Sequence, residues 1–167
     1  MAGTWWRINH PGGDPLFWSD EPADGRWQRG DVVRALYLAD SPETAWAEWY
    51  RHTSELGVPP QNRMPRDLWR FDVDLANVAD LTAGNALAKG GIRSLAPSRR
   101  QWPRTQPIGE EAWLSGFTAL LAPSAAHADG RVLAVFRTQP GAVSGVKAIR
   151  PPKKVKDLPA LPAGLRT

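Results

Sequence analysis

Five polar side chains stand out against apolar or tightly turned surroundings. Arg7 follows two tryptophans, Arg26 sits between Gly25 and Trp27, and Tyr37 interrupts the aliphatic run Ala35, Leu36, Leu38, Ala39. Glu48 borders a helical apolar stripe, and Ser124 follows Pro123 directly after the run Ala119 to Ala122. Guanidinium forks match phosphate oxygens bidentately, a carboxylate stabilises developing positive charge, and a phenol and a hydroxyl orient a ligand by hydrogen bonds. Each residue also has a plainer account. Arg7 and Arg26 can form surface ion pairs, Glu48 can pair with Arg51 or His52, Tyr37 can be a core residue, and Ser124 can cap the next turn.

Other chemistries are disfavoured. The chain has no cysteine, so it holds no disulfide, thiolate metal ligand or cysteine nucleophile, which fits a reducing compartment. His10, His52 and His127 are too scattered for a metal site. There is no Gly-x-Gly-x-x-Gly or phosphate-binding loop motif, which argues against a Rossmann or P-loop mode. Nine tryptophans in 167 residues suit the walls of a pocket for a flat ring as well as a core, with packing the commoner use.

The elements that must position these residues are partly readable. Trp5 to Ile8 reads as a strand, followed by a long loop punctuated at Pro11-Gly12-Gly13, Asp14-Pro15, Glu21-Pro22 and Asp24-Gly25. A loop of that length carrying Phe17, Trp18 and Trp27 reads as part of a site. Val32 to Ala39 is a strand-length apolar run. Ser41 and Pro42 then open a helix expected to reach Leu56, with Gly57 past its end. On the helical wheel Ala45, Trp46, Trp49, Thr53 and Leu56 share one side, with Ala47, Arg51 and Glu55 on or near the other. Trp69 to Leu75 alternates as a half-buried strand, and Val78 to Ser98 holds a short helix and then breakers. Glu110 to Gly116 reads as helix, and Phe117 to Ala122 and Val132 to Arg137 as buried strands. The pattern suggests an α/β or α+β fold with mainly antiparallel sheets.

Length and composition predict one domain. No window approaches the roughly 18 apolar residues of a membrane span and no leader is visible, so a cytoplasmic protein without a membrane partner is expected. The formal charge of +4 is uneven along the chain. Residues 147 to 167 carry Lys147, Arg150, Lys153, Lys154, Lys156 and Arg166 against Asp157 alone, leaving the body slightly acidic. That reads as a solvated basic tail, and direct nucleic-acid binding is not expected.

Gly25-Arg26-Trp27, the run Leu36 to Ser41, Ala45 with Glu48, Gly109, and Leu120-Leu121-Ala122-Pro123-Ser124-Ala125 together resemble, in order, the signatures of the RES domain. The resemblance spans roughly Trp5 to Arg137. This chain has Gln28 where members usually carry Asn, and Ile8 where an aromatic is common. The resemblance implies an α+β, ADP-ribosyltransferase-like fold of split antiparallel β-sheets with flanking helices and a cleft for NAD. The domain is expected over residues 1–149, and the Pro- and Lys-rich residues 150–167, with too few apolar residues to fold alone, are expected as a basic tail lying extended on the body. The implied function is an NAD-consuming toxin of a type II toxin-antitoxin system. It would cleave the nicotinamide-ribose bond by hydrolysis or phosphorolysis, or transfer ADP-ribose to a protein acceptor. The implied partner is a cognate Xre-type helix-turn-helix antitoxin, and a homodimer stays open. On this reading Arg7 and Arg26 clamp the NAD phosphates, Glu48 stabilises the oxocarbenium, Tyr37 orients the nicotinamide end, and Ser124 hydrogen-bonds the same end. The alternatives are a non-catalytic NAD or ADP-ribose binding module, and an interaction protein working through its basic tail.

Overall fold

Alternation along Arg34–Ala39 (β2) decides which residues reach which side of the sheet. Leu36 and Leu38 enter one apolar cluster, while Ala35 and Tyr37 pack against another. The same division runs through Arg131–Arg137 (β6), where Leu133 and Val135 join the first cluster and Val132, Ala134 and Phe136 the second. The chain is described by a computed structural model over residues 1–166, and Thr167 lies outside the described residues.

The remaining strands are Ala2–Asn9 (β1), Arg66–Asp74 (β3), Val78–Asp80 (β4), Ala119–Pro123 (β5) and Val146–Val155 (β7). All seven form one sheet in the order β4-β5-β6-β2-β1-β3-β7. Every neighbouring pair is antiparallel except β4 with β5. The fold is therefore α+β, as expected. β1 pairs with β3 along its whole length and β2 with β6 along its own, yet β1 and β2 meet only at Trp6 and Ala39. The sheet thus divides between β1 and β2, and the division opens a cleft.

Helix Pro42–Glu55 (α1) crosses that division. Ser41 caps it, with its extended backbone (φ −148°, ψ 161°) and its hydroxyl accepting from Thr44 N at 3.0 Å. Pro42 fills the first turn, and Gly57, at φ +65°, lies beyond the end as expected. Ser41→Ala should lower unfolding stability by about 1 kcal/mol in denaturant titration, with the slope unchanged. The expected one-sided burial needs correcting. Ala47 and Tyr50 are buried and Leu56 is 44% exposed. The far side of α1 is covered by chain segments from elsewhere. Tyr50 Oη donates to the Pro159 carbonyl, and Thr44 Oγ1 meets His127 Nδ1 at 3.0 Å.

Helices Ala86–Lys89 (α2) and Trp102–Leu114 (α3) lie with the second apolar cluster. α3 starts eight residues before the expected Glu110. Pro103 is tolerated in its first turn, and Pro107 in its interior forfeits one helical bond. Tertiary contacts described below hold that segment helical.

β7 runs through residue 150 and takes up Pro151 and Pro152. It is the outer strand, where missing N–H donors cost no ladder bond, and its register with β3 shifts between Leu68 and Arg70. The following residues cross the body as a strap. Ala128 N donates to Gly164 O at 3.0 Å, Arg166 N to Ala126 O at 2.8 Å, and His127 Nε2 lies 2.8 Å from Ala163 O. Among the described residues no helix is long and apolar enough to cross a membrane.

Candidate active site

The long loop divides into two parts with different work. Its middle is pinned by Arg34 and Arg137, facing residues on β2 and β6. Their guanidiniums flank the Trp18 ring at 4.2 and 5.1 Å, and Arg137 donates to the carbonyls of Phe17 (3.2 Å) and Leu16 (3.0 Å). The later part, from Ala23 to Trp27, reaches the cleft.

α3 holds this later part with one polar face. Thr105, Gln106, Gly109 and Glu110, all buried, follow the spacing of a helical stripe. Thr105 Oγ1 donates to Arg26 O at 2.5 Å, and Gln106 Nε2 to Gly25 O at 3.1 Å and Gln28 O at 3.3 Å. Glu110 accepts from Arg29 N at 2.8 Å and grips the Arg29 guanidinium at 2.7 and 2.9 Å. The Arg29 hydrogen bonds hold the Glu110 carboxyl below its ordinary range. A Cβ on Gly109 would stand 2.0 Å from Trp27 O, so only glycine lets helix and loop approach this closely.

Between the two halves of the sheet, α1 and this loop lies a cavity of about 530 Å³. Four of the five residues singled out in the sequence line it: Arg7 from β1, Arg26 from the loop, Tyr37 from β2 and Glu48 from α1. Ser124 does not line it. It is buried behind Glu48, and its Oγ donates to Glu48 Oε1 at 2.7 Å while accepting from Ala126 N (3.1 Å) and His127 N (3.0 Å). Arg51 Nε donates to the other Glu48 oxygen at 3.1 Å. The carboxylate is thus fixed from two sides at the cavity wall.

The Arg7 side chain makes no hydrogen bond or ion pair among the described residues. Burial, and then the Arg137 charge, push its guanidinium down to about 10, with Asp14 pulling the other way, and it remains a cation at neutral pH. Arg26 is 8% exposed. Its Nη2 donates to the carbonyls of Ala96 and Pro97, both at 2.9 Å, while its Nη1 is buried without a partner. Burial and the neighbouring Arg51 charge lower it as well. Two cations short of partners in one cleft favour an anionic ligand.

Tyr37 Oη accepts from Trp27 N at 3.1 Å and donates to Gln28 Oε1. Burial raises the phenol well above its usual value, so it works as a neutral hydrogen-bonding group. Gln28 thus takes part in the site through Tyr37. Tyr37→Phe would strand the Trp27 N–H in a buried place. A loss of about 1–2 kcal/mol is expected in chemical denaturation, with the remaining ring still packed.

Sequence reasoning missed several wall residues. Trp6, Trp49 and Trp102 line the cavity along with Trp27, so four of nine tryptophans serve it. His52, Arg51 and Arg99 line it too. Burial lowers His52, and the charges of Arg51 and Arg99 lower it further, with Glu55 pulling the other way. Trp49, His52 and Arg51 lie within one turn of Glu48, which is the available signal.

Such an arrangement defines an α+β domain with a cleft walled by arginine and tryptophan, of a volume usual for a small-molecule site. The RES domain family model matches residues 4–159, and the chain belongs to that family. It is similar to the "Probable NAD(+) phosphorylase Rv3189" of Mycobacterium tuberculosis, 32% identical over 138 residues. That match covers 81% of this chain and 65% of the relative. The "NAD(+) phosphorylase MbcT" of Mycobacterium bovis is 26% identical over 121 residues, covering 70% of this chain and 64% of the relative. The chain therefore spans just under two thirds of the length of these curated relatives. A structure of the M. tuberculosis MbcT-MbcA toxin-antitoxin complex matches with a TM-score of 0.75 and 28% identity, over 93% of this chain and 85% of that one.

Proposed function

We propose that this chain is an NAD-cleaving toxin that breaks the nicotinamide-ribose bond with inorganic phosphate as acceptor. The observation that carries the reading is the cleft itself, lined by an oriented carboxylate, by Arg7 and Arg26 without carboxylate partners among the described residues, and by four tryptophans. The names of the relatives favour phosphorolysis over hydrolysis or ADP-ribose transfer to a protein.

In this mechanism the Arg7 guanidinium clamps the NAD diphosphate, and Arg26 supplies a second unpaired cation to the anion-binding side of the cleft. Glu48 stands against the ribose and stabilises positive charge as the C–N bond breaks. The bonding pair leaves with the nicotinamide nitrogen, which becomes neutral, and a phosphate oxygen closes onto the same ribose carbon. Tyr37 orients the nicotinamide end. Ser124 acts through Glu48, holding one carboxylate oxygen at 2.7 Å. We assign the NAD chemistry to residues 1–149 and a bracing role to the basic, Pro-rich residues 150–167. The protein acts in the cytoplasm with a cognate Xre-type helix-turn-helix antitoxin, and its free form is a monomer or a homodimer.

The test is nicotinamide release from NAD by purified protein with and without phosphate, with the second product weighed by mass spectrometry. Release that needs phosphate, with a product heavier than ADP-ribose by one phosphate, is expected. No release with phosphate, water or candidate protein acceptors would remove the enzyme, and calorimetric NAD binding without consumption would then identify a binding module.

A further inference from the structure

Four arginines line the cleft, Arg7, Arg26, Arg51 and Arg99, which is more cationic forks than the two phosphate charges of a dinucleotide require. They are not evenly placed. Arg26 and Arg51 both donate to the Pro97 carbonyl, at 2.9 and 3.0 Å, so their guanidiniums are neighbours. Arg51 also bonds Glu48, and Arg51 and Arg99 share Glu55 at 2.8 and 3.3 Å. Arg7 comes from β1, and its charged neighbours are Arg137 and Asp14.

Within the cluster the charges do not balance. Glu48 and Glu55 face three guanidiniums, and Arg26 has no carboxylate partner among the described residues. A buried guanidinium with an unpartnered Nη1 and no counter-ion is costly, and an anion seated beside it removes that cost. A second cavity of about 550 Å³ adjoins the first, shares Arg51 and Arg99 with it, and is also lined by Ser98 and Arg100.

We propose that Arg26, Arg51 and Arg99 form the subsite for the attacking inorganic phosphate, separate from the dinucleotide phosphates near Arg7, and that the second cavity is its way in. The proposal rests on the phosphorolytic reading above. It places the nucleophile next to Glu48, the residue that faces the ribose. Hydrogen phosphate donates its proton as a hydrogen bond to that side, and an unprotonated oxygen attacks the ribose carbon. The new C–O bond replaces the C–N bond, and the electron pair leaves on nicotinamide.

Arg99 suits the test because its side chain is 49% exposed and its ion pair is peripheral, so its removal leaves the fold intact. Phosphate would be titrated by calorimetry into NAD-free wild type and Arg99→Ala, and the KM for phosphate and for NAD measured from nicotinamide release. The variant should bind phosphate more weakly and raise its KM about tenfold, with the KM for NAD within about twofold of wild type. An unchanged phosphate KM, or an equal rise in both constants, overturns the subsite. Wild type that binds phosphate, more weakly after Arg99→Ala, but releases no nicotinamide would keep the anion site and sink the phosphorolytic reading. Equal release with and without phosphate, and no phosphate binding, would sink the subsite and leave NAD cleavage standing.

Discussion

Glu48→Gln should slow nicotinamide release by about 10²–10⁴-fold, the scale on which a carboxylate aimed at developing charge contributes. Its amide is nearly isosteric and its oxygen can still accept from Ser124, but it cannot offset positive charge on the ribose. The amide nitrogen would then oppose Arg51 Nε, which now donates to Glu48 Oε2 at 3.1 Å. That conflict should cost about 1 kcal/mol, so the variant stays folded. Because the lost interaction exists mainly in the transition state, kcat should fall with little change in the KM for NAD. Wild-type turnover in Glu48→Gln would mean that the carboxylate only braces Ser124 and Arg51.

Gly109→Ala should damage the molecule from the outside of the cleft. The added methyl would lie 2.0 Å from the Trp27 carbonyl oxygen and 2.9 Å from the Trp27 Cβ. Both are held in place by a fully buried indole, so α3 must move away from the loop. Overpacking of this kind costs about 3 kcal/mol, or roughly 10 °C in Tm for a chain of this size. Thr105 and Gln106 would lose their grip on Arg26 and Gly25 together, so NAD binding should weaken even in the cold, where the variant is folded. An unchanged Tm for Gly109→Ala would show that α3 shifts without cost.

The parts of the fold legible in the sequence are those fixed locally. Ser41, Pro42 and Gly57 mark the ends of α1 through caps and backbone preferences, which depend on a few neighbouring residues. The alternation in β3 and the apolar runs of β5 and β6 report burial directly. The rest depends on partners far along the chain. Pro107 and the Thr105, Gln106, Gly109, Glu110 face look like a poor helix until the loop that satisfies them is in place. β7 looks like a solvated basic run because its pairing with β3 needs no apolar alternation, and Pro151 and Pro152 are harmless at a sheet edge. In the cleft, Arg7, Arg26, Tyr37 and Glu48 are each conspicuous against apolar or turned surroundings. Arg51, Arg99 and Trp102 look like ordinary surface or packing residues, and only their convergence distinguishes them.

The strap bears on when this protein first becomes competent. Ser124 is fixed by a turn whose Ala126 and Ala128 are tied to Arg166 and Gly164, and Tyr50 of α1 reaches to Pro159. A nascent chain on the ribosome can complete its sheet through β6 and still lack the segment that braces Ser124 and α1. The turn that holds Ser124, and through it one oxygen of Glu48, therefore gains its last ties from residues far along the chain.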